Sequence, residues 1–241
     1  MCLALPSAKR PEGTRVWDLP TRIFHWTLAL LVVASFVSGW NGGNWMVWHG
    51  RAGIAIVGLV VFRLTWGFVG STYARFATFV RGPGAIIDYL KGKWCGAGHN
   101  PLGALSVLAM IALLAFQPLT GLFGNDDIAF NGPLYVLVDK ETSDWLVGWH
   151  RQASWLLLAL VALHLGAVGY YRFVKQDDLV TPMLTGRKTF CTECPVRHAE
   201  GGGFRSFVLA LALGMCAAWV ASGGLLAPPP PPPPASAAPA W

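Results

Sequence analysis

Apolar residues fill five long stretches of the chain, and polar or charged residues separate these stretches. Each stretch can cross the ~30 Å hydrocarbon core of a bilayer as a helix that rises about 1.5 Å per residue. The stretches are Ile23–Trp40, His49–Val69, Leu102–Phe123, Trp145–Phe173 and Phe207–Leu226. The pattern predicts an all-α membrane protein with five transmembrane helices. The first is short for a full crossing, and the fourth is long enough to tilt or protrude.

The composition supports a membrane protein. Of the 241 residues, 54% are hydrophobic and only 12% are charged, whereas soluble domains carry about 25% charged residues. The net charge of +6 raises the question of nucleic-acid binding. However, most of the basic residues lie in the connections between stretches or before the first stretch, and they form no stripe on one face. The sequence therefore argues against a nucleic-acid partner and for contact with membrane lipid.

Charge is divided unequally between the two ends of the predicted helices. Basic residues precede the first span and fill the second and fourth connections: Lys9, Arg10, Arg15, Arg22, Arg75, Arg81, Lys91, Lys93, Arg172, Lys175, Arg187, Lys188, Arg197 and Arg205. The third connection is acidic. It contains a single lysine, Lys140, and the acidic residues Asp126, Asp127, Asp139, Glu141 and Asp144. We call the end of the bundle with this connection the acidic side, and the opposite end the basic side. Because basic connections stay in the cytoplasm, we expect a cytoplasmic N-terminus, with the acidic side and the C-terminus on the outer side of the membrane.

Four histidines lie in or at the ends of the predicted spans. His150 and His164 are fourteen residues apart, which in a helix is a rise of ~21 Å and almost four turns, so both rings leave one face. By depth, the four histidines form two pairs: the acidic-side pair, His49 and His150, and the basic-side pair, His25 and His164. Ionisable side chains in membrane helices usually face the bundle interior and serve a function.

Paired histidines at one depth suit haem iron. Two imidazoles on opposite faces of a haem give six-coordinate iron with no open position, which favours electron transfer. The sequence therefore predicts two haems, one near each membrane surface. A zinc or copper site is less consistent, because no Asp, Glu or Cys shares the depth of these histidines. A proton relay would need carboxylates inside the spans.

Four arginines and a fifth histidine lie near the predicted haems. Arg51 and Arg151 each follow a histidine of the acidic-side pair, and could bind haem propionates or extend to the membrane interface. Arg22 and Arg63 are their equivalents on the basic side. His99 could contact a propionate or a quinone, or be an interfacial polar residue.

Small residues recur along the first three spans: Gly39, Gly50, Gly53, Gly58 and Gly121. Such residues let helices approach each other or a flat macrocycle closely. The pattern is therefore consistent both with haem packing and with helix crossing.

Two features fall outside this pattern. Cys191, Cys194 and His198 resemble part of a zinc site, but one Cys-x-x-Cys pair with a histidine is incomplete. The run Pro228–Pro234 predicts an extended polyproline tail, which could be a spacer, a docking strand or a disordered end.

Four separated motifs resemble the bacterial cytochrome b561 family, which includes the b-type cytochrome subunit of nickel-iron hydrogenases. The motifs are Arg22-Ile-Phe-His25-Trp26, then Trp48-His49-Gly50-Arg51-Ala-Gly53 with Arg63-Leu-Thr-Trp66-Gly67, then His99-Asn-Pro-Leu-Gly103, and lastly His150 with His164. They agree with the family in order and cover about residues 15–175. The fifth span matches the hydrogenase-subunit branch.

The resemblance implies a four-helix bundle with two non-covalent haem b groups, and a set of iron ligands: His25, His49, His150 and His164. It also implies electron exchange between a membrane quinone and a periplasmic redox protein, such as a c-type cytochrome or a hydrogenase-like dehydrogenase. The chain would then comprise a cytoplasmic segment (1–21), the di-haem domain (22–175), a cytoplasmic loop (176–205), a fifth transmembrane helix (206–227) and a Pro-rich periplasmic tail (228–241).

The function expected from these features is that of an electron-transfer subunit of a respiratory oxidoreductase complex. Two alternatives are a stand-alone quinol-dependent superoxide or ferric reductase and a membrane anchor whose haems mainly hold the bundle together. A metal transporter is a third. Axial ligands alone do not fix the direction of electron flow.

Overall fold

The computed structural model describes residues 13–93, 98–190 and 197–227. The Cys191 and Cys194 pair and the Pro-rich tail lie outside these residues. Within them, the elements in chain order are β1 (Thr14–Arg15), α1 (Leu19–Asn41), α2 (Met46–Val69), α3 (Phe76–Phe79), α4 (Pro83–Leu90), α5 (Pro101–Gly121), α6 (Lys140–Phe173), α7 (Val180–Thr185), β2 (Arg187–Lys188) and α8 (Phe204–Ala221). Short 3-10 turns at Gly43–Trp45 and Tyr135–Leu137 precede α2 and α6.

Five of these helices, α1, α2, α5, α6 and α8, are long and apolar enough to cross a membrane. This confirms the all-α membrane fold and the five predicted spans. Many of their large apolar side chains are exposed on the bundle surface, among them Leu30 of α1 and Leu163 of α6. Such a surface is typical of helices that contact lipid.

Local capping moves the helix ends away from the bounds expected from hydrophobicity. The Asp18 side chain accepts a hydrogen bond from the Thr21 backbone N–H at 2.7 Å, so α1 begins at Leu19 and is 23 residues long. The first span is therefore not short. In the same way, Asp139 caps α6, which has 34 residues. At ~1.5 Å per residue it is longer than the hydrocarbon core. The fifth span ends earlier than expected, at Ala221, before a turn with Gly223 at φ +84°.

Helix α2 lies at the centre of the bundle. It contacts α1, α5 and α8, and α5 packs against α6. The contact between α2 and α8 is close because glycines meet there: a Cβ on Gly58 would lie 3.0 Å from the carbonyl oxygen of Gly214. Apolar side chains of α1, α2 and α8 form a buried cluster at the basic side, which includes Phe24, Phe62 and Ala210.

The connections on the basic side are tied to one another. Strands β1 and β2 pair antiparallel, with Thr14 opposite Lys188 and Arg15 opposite Arg187. The segment that follows residue 196 runs beside β1 and the end of α2: the Ala199 N–H donates to the Arg15 carbonyl at 2.8 Å, and the Thr72 N–H donates to the Glu200 carbonyl at 2.8 Å. These contacts close the basic end of the bundle.

Candidate functional site

The bundle brings the four predicted histidines together as two facing pairs. The ring centroids of His49 in α2 and His150 in α6 are 5.8 Å apart. Those of His25 in α1 and His164 in α6 are 6.4 Å apart. Helix α6 thus contributes one histidine to each pair, and the two pairs lie toward opposite ends of the bundle.

Both separations suit a single metal ion between two imidazoles. A metal–nitrogen bond of about 2.0–2.1 Å, with about 1.1 Å more to each ring centre, places two ligand centroids ~6.3 Å apart. The observed 5.8 Å and 6.4 Å lie close to this distance. In the described part of the chain, no cluster of three or more His, Cys, Asp or Glu side chains could hold a metal ion. Each histidine pair offers two imidazole donors, a set that fits the predicted haem iron.

The acidic-side pair is oriented by backbone carbonyls. Nδ1 of His49 lies 2.9 Å from the carbonyl oxygen of Ser35, and Nδ1 of His150 lies 2.8 Å from that of Gln117. A carbonyl oxygen can only accept, so each ring donates from Nδ1. The lone pair of each ring is then on Nε2, where a metal can bind it.

The same arrangement of a carbonyl and a glycine occurs on α1 and α5. Gly39 follows Ser35 by four residues, and a Cβ there would lie 2.9 Å from Nδ1 of His49. Gly121 follows Gln117 by four residues, and a Cβ there would lie 3.0 Å from Cε1 of His150. In each helix, the glycine leaves the space through which an imidazole reaches the carbonyl. The sequence identified both glycines as small, but not the histidine that each one faces.

A largely apolar cavity of about 500 Å³ adjoins the acidic-side pair. Side chains of α1, α2, α5 and α6 line it, together with Phe130 from the acidic connection. Gly53 lines it too, and a Cβ at this position would have no heavy atom within 4 Å, so this wall has room for a flat group. Cofactor pockets typically measure about 300–1,000 Å³. The space and the oriented histidines fit the predicted haem on this side.

The two arginines on the acidic side differ in their position relative to this cavity. Arg151 lines the cavity. The guanidinium of Arg51 lies over the Trp48 ring, 4.9 Å from its centroid, and is not part of the cavity lining. Only Arg151 is therefore placed beside the space for a cofactor, and a propionate contact by Arg51 stays a prediction.

A buried arginine lies on the basic side. Arg63 is only 3% exposed, and its Nη1 has no hydrogen-bond partner among the described residues. Its guanidinium lies over the rings of Phe76, at 5.0 Å, and Phe79, at 6.0 Å. A buried cation is costly unless it is paired. A carboxylate at this position, such as a haem propionate, would satisfy it.

His99 belongs to the same region. Its ring lies between Trp17, at 4.8 Å, and Phe79, at 4.9 Å, and its buried Nδ1 has no partner among the described residues. Burial, with a smaller contribution from the charge of Arg63, lowers the pKa of His99 to about 3. The ring is therefore neutral at pH 7. Arg22 is directed elsewhere, because its guanidinium donates to the Leu184 carbonyl.

Asp18 joins the helices that carry this region, and sequence reasoning missed it. Besides capping α1, its carboxylate accepts hydrogen bonds from Nε1 of Trp66, at 3.0 Å, and from the hydroxyl of Ser71. It thereby links the start of α1 to the end of α2. Asp18, three residues before Thr21 and followed by an apolar run, is a helix-start signal that could have identified it.

His198 is not near the two pairs. Its Nδ1 accepts a hydrogen bond from the Arg15 backbone N–H at 3.1 Å. A zinc site with Cys191 and Cys194 stays a prediction, since both cysteines lie outside the described residues.

Comparison with known proteins gives one family and a consistent set of relatives. A family model described as prokaryotic cytochrome b561 matches residues 16–186. The chain is 23% identical over 215 residues to the probable Ni/Fe-hydrogenase 1 B-type cytochrome subunit of Escherichia coli K12, covering 72% of this chain and 90% of the relative. It is 25% identical over 225 residues to the probable Ni/Fe-hydrogenase B-type cytochrome subunit of Azotobacter vinelandii, covering 78% and 93%. No solved structure gave a significant match.

Proposed function

The chain belongs to the prokaryotic cytochrome b561 family, and from that premise we propose that it carries electrons across the membrane between a quinone and a periplasmic redox protein. Family membership makes it a multi-pass membrane b-type cytochrome. Two haem groups, the quinone and the periplasmic partner are our proposal. When bound, haem b supplies reversible one-electron chemistry at its iron.

Two facing histidine pairs at opposite ends of the bundle carry this proposal. We assign one haem to His49 and His150, and the other to His25 and His164. The pairs are separated by the rise of α6 between residues 150 and 164, ~21 Å. Two redox groups at these positions would divide electron transfer across the bilayer into separate steps, which one group could not do.

Other side chains would hold the carboxylates of the two groups. On the basic side, Arg63 is buried, its Nη1 has no hydrogen-bond partner in residues 13–93, 98–190 or 197–227, and the neutral His99 ring can donate a hydrogen bond. On the acidic side, Arg151 lines the cavity. Arg22 and Arg51 are weaker candidates, because the Leu184 carbonyl and the Trp48 ring already engage them.

The charge asymmetry supports an orientation in the bacterial inner membrane. We propose that the acidic side faces the periplasm and that the basic side, with the N-terminus, faces the cytoplasm. The C-terminus would then be periplasmic. The quinone would meet the protein near the basic-side pair, with His99 as the candidate contact.

The acidic connection offers a surface for the periplasmic partner. Hydrogen bonds from the backbone N–H groups of Phe130 and Ile128 hold the pKa of Asp126 below its usual value, so it stays ionised. Lys140 bridges Asp127 and Asp144 at 2.7 Å and 2.9 Å and orders the surface. Such charges would mainly increase the encounter rate with a basic patch. The names of the relatives make a hydrogenase-like dehydrogenase the first candidate, and a c-type cytochrome the second.

Electron transfer from a membrane quinol to an acceptor enclosed in vesicles tests the proposal. The purified protein is reconstituted in liposomes that contain a quinol in the membrane and enclose ferricyanide, an acceptor that cannot cross. We expect the protein to accelerate ferricyanide reduction, and His150→Ala and His164→Ala each to abolish the acceleration. His198→Ala, which lies outside both pairs, should retain it. A rate no faster than that of protein-free vesicles would contradict transmembrane transfer.

The same preparation separates the alternatives. A stand-alone reductase would reduce superoxide or ferric chelates with quinol and without any partner subunit. A haem-containing anchor would hold haem that quinol does not reduce. The proposed carrier exchanges electrons with quinol and, apart from quinol, only with a redox protein or an artificial acceptor.

A further inference from the structure

We propose that the basic side carries a binding site for a phosphate group, formed by Arg15, Arg187 and His198. This site is distinct from the histidine pairs and includes none of the residues assigned to haem. The small sheet of β1 and β2, which joins the N-terminal segment to the connection before α8, brings the two arginines together.

Two arginines occupy directly opposed positions in this sheet. Arg15 of β1 pairs with Arg187 of β2 in the antiparallel register. Opposed residues in an antiparallel pair have their Cβ atoms roughly 4.5–5.5 Å apart, and like charges there repel. The pairing therefore holds two guanidinium groups side by side against their electrostatic repulsion. An anion between them would offset this repulsion.

Two other basic residues of this connection, Lys188 and Arg172, are held in ion pairs. Lys188 binds Asp177 at 2.8 Å, and Arg172 binds Asp178 at 2.6 Å. Arg15 and Arg187 make no ion pair with any residue in the described ranges. The sheet therefore presents a local excess of two positive charges.

His198 adds a third donor. Its Nδ1 accepts the Arg15 backbone N–H at 3.1 Å, which leaves the ring proton on Nε2. The Ala199 N–H donates to the Arg15 carbonyl at 2.8 Å and fixes this segment against β1. The imidazole is thus held beside the arginine with a free N–H group.

These side chains surround a cavity of about 220 Å³; among the described residues, its lining is Arg15, Arg187, His198 and Ala199, none of which is acidic. A water molecule occupies about 30 Å³ of liquid, so a phosphate group fits. Two guanidinium forks and a ring N–H match the oxygens of a phosphate monoester or diester. Arg15 lies three residues before the Asp18 cap of α1. The site is therefore at the level where lipid headgroups meet the protein, within reach of phosphate from lipid or from solution.

Calorimetry on the full-length protein in detergent tests this site with three probes: dioctanoyl phosphatidylglycerol, dioctanoylglycerol and inorganic phosphate. We expect phosphatidylglycerol to bind, and Arg15→Gln and Arg187→Gln each to weaken binding about tenfold or more. Lys188→Gln, which removes the same charge from a paired lysine in the same strand, should bind like the unmodified protein. Far-UV circular dichroism checks that each variant keeps its helix content.

Every outcome bears on the proposal. Tighter binding of phosphatidylglycerol than of inorganic phosphate identifies a lipid headgroup as the ligand, and equal binding identifies phosphate from solution. Binding of neither overturns the proposal. It is also overturned if the two arginine variants bind as the unmodified protein does, or if Lys188→Gln weakens binding equally, since general surface charge would then be the cause. Dioctanoylglycerol, which has the same acyl chains but no phosphate, overturns the proposal without any variant if it binds as well as phosphatidylglycerol.

Discussion

The acidic-side and basic-side histidine pairs have similar ring separations but different surroundings. On the acidic side, Nδ1 of His49 and of His150 each donate to a backbone carbonyl. On the basic side, Nδ1 of His25 is buried without a hydrogen-bond partner in the described part of the chain, and the unpartnered guanidinium nitrogen of Arg63 is buried as well. One pair is oriented by the protein backbone, and the other is surrounded by polar groups that lack partners.

This difference predicts different electronic properties for the two proposed haems. A hydrogen bond from Nδ1–H to a carbonyl makes an imidazole a more basic ligand, which stabilises the oxidised metal and lowers the reduction potential. A buried cation disfavours the oxidised metal and raises the potential. Arg63 is almost fully buried, whereas Arg151 is exposed. Both effects place the lower potential on the acidic side.

Removal of the Arg63 charge should have the largest effect. In Arg63→Met, a propionate on the basic side loses a charge-assisted hydrogen bond of about 1.5–3 kcal/mol, so haem affinity there should fall roughly 10–100-fold. Haem retention during dilution in detergent measures this. Arg51→Met, which removes an exposed arginine, should leave the basic-side haem in place. Equal haem loss in both variants would contradict a specific role for Arg63.

A methyl group at Gly121 should disturb only the acidic-side pair. In Gly121→Ala, the new Cβ would lie 3.0 Å from Cε1 of His150 and displace the ring from the Gln117 carbonyl. Loss of such a ligand-orienting contact typically costs 10–100-fold in metal affinity. Haem that is retained should have a higher potential. Gly169→Ala is the matched control, because a Cβ there meets no atom within 4 Å. An unchanged acidic-side haem in Gly121→Ala would show that the contact has no influence.

The potentials of the two sites can be compared with one haem at a time. His164→Ala should leave the acidic-side haem, and His150→Ala the basic-side haem. We expect the haem that remains in His164→Ala to have a lower reduction potential than the haem that remains in His150→Ala. The expected difference is about 59 mV, which corresponds to a tenfold change in a one-electron equilibrium. Redox titration at the haem absorption band measures both. The reverse order would exclude the hydrogen bonds from histidine Nδ1 to backbone carbonyls as the dominant influence on the two potentials.

The smallest effect is expected from Asp18, which supports the basic side from a distance. Asp18→Asn keeps a capping oxygen for Thr21 but replaces the carboxylate that accepts from Trp66 and Ser71. We expect a loss of about 1 kcal/mol in unfolding free energy without loss of haem. Asp139→Asn is the control, because Asp139 caps α6 but accepts no hydrogen bond from Trp66. Thermal unfolding followed by circular dichroism compares the two, and an equal loss in both would show that Asp18 is only a cap.

The spans were predictable from the sequence, because the bilayer requires long apolar helices and makes polar residues within them conspicuous. The depth of each histidine followed from the helical rise. The carbonyls of Ser35 and Gln117 were not predictable, because every residue has a carbonyl and only the packing of α1 on α2 and of α5 on α6 selects these two. The links from Asp18 to Trp66 and Ser71, and the two-residue strands, were also missed. Both depend on residues far apart in the chain, and such short strands have no detectable periodicity.

The most direct test of the account is the haem-to-protein ratio of the purified protein and of two ligand variants, measured from reduced-minus-oxidised spectra. The proposed ligand assignment predicts two haems per chain in the unmodified protein and one in each of His150→Ala and His164→Ala. The remaining haem should be on the basic side in the first variant and on the acidic side in the second. Two haems retained in both variants would contradict the assignment of iron to these histidine pairs.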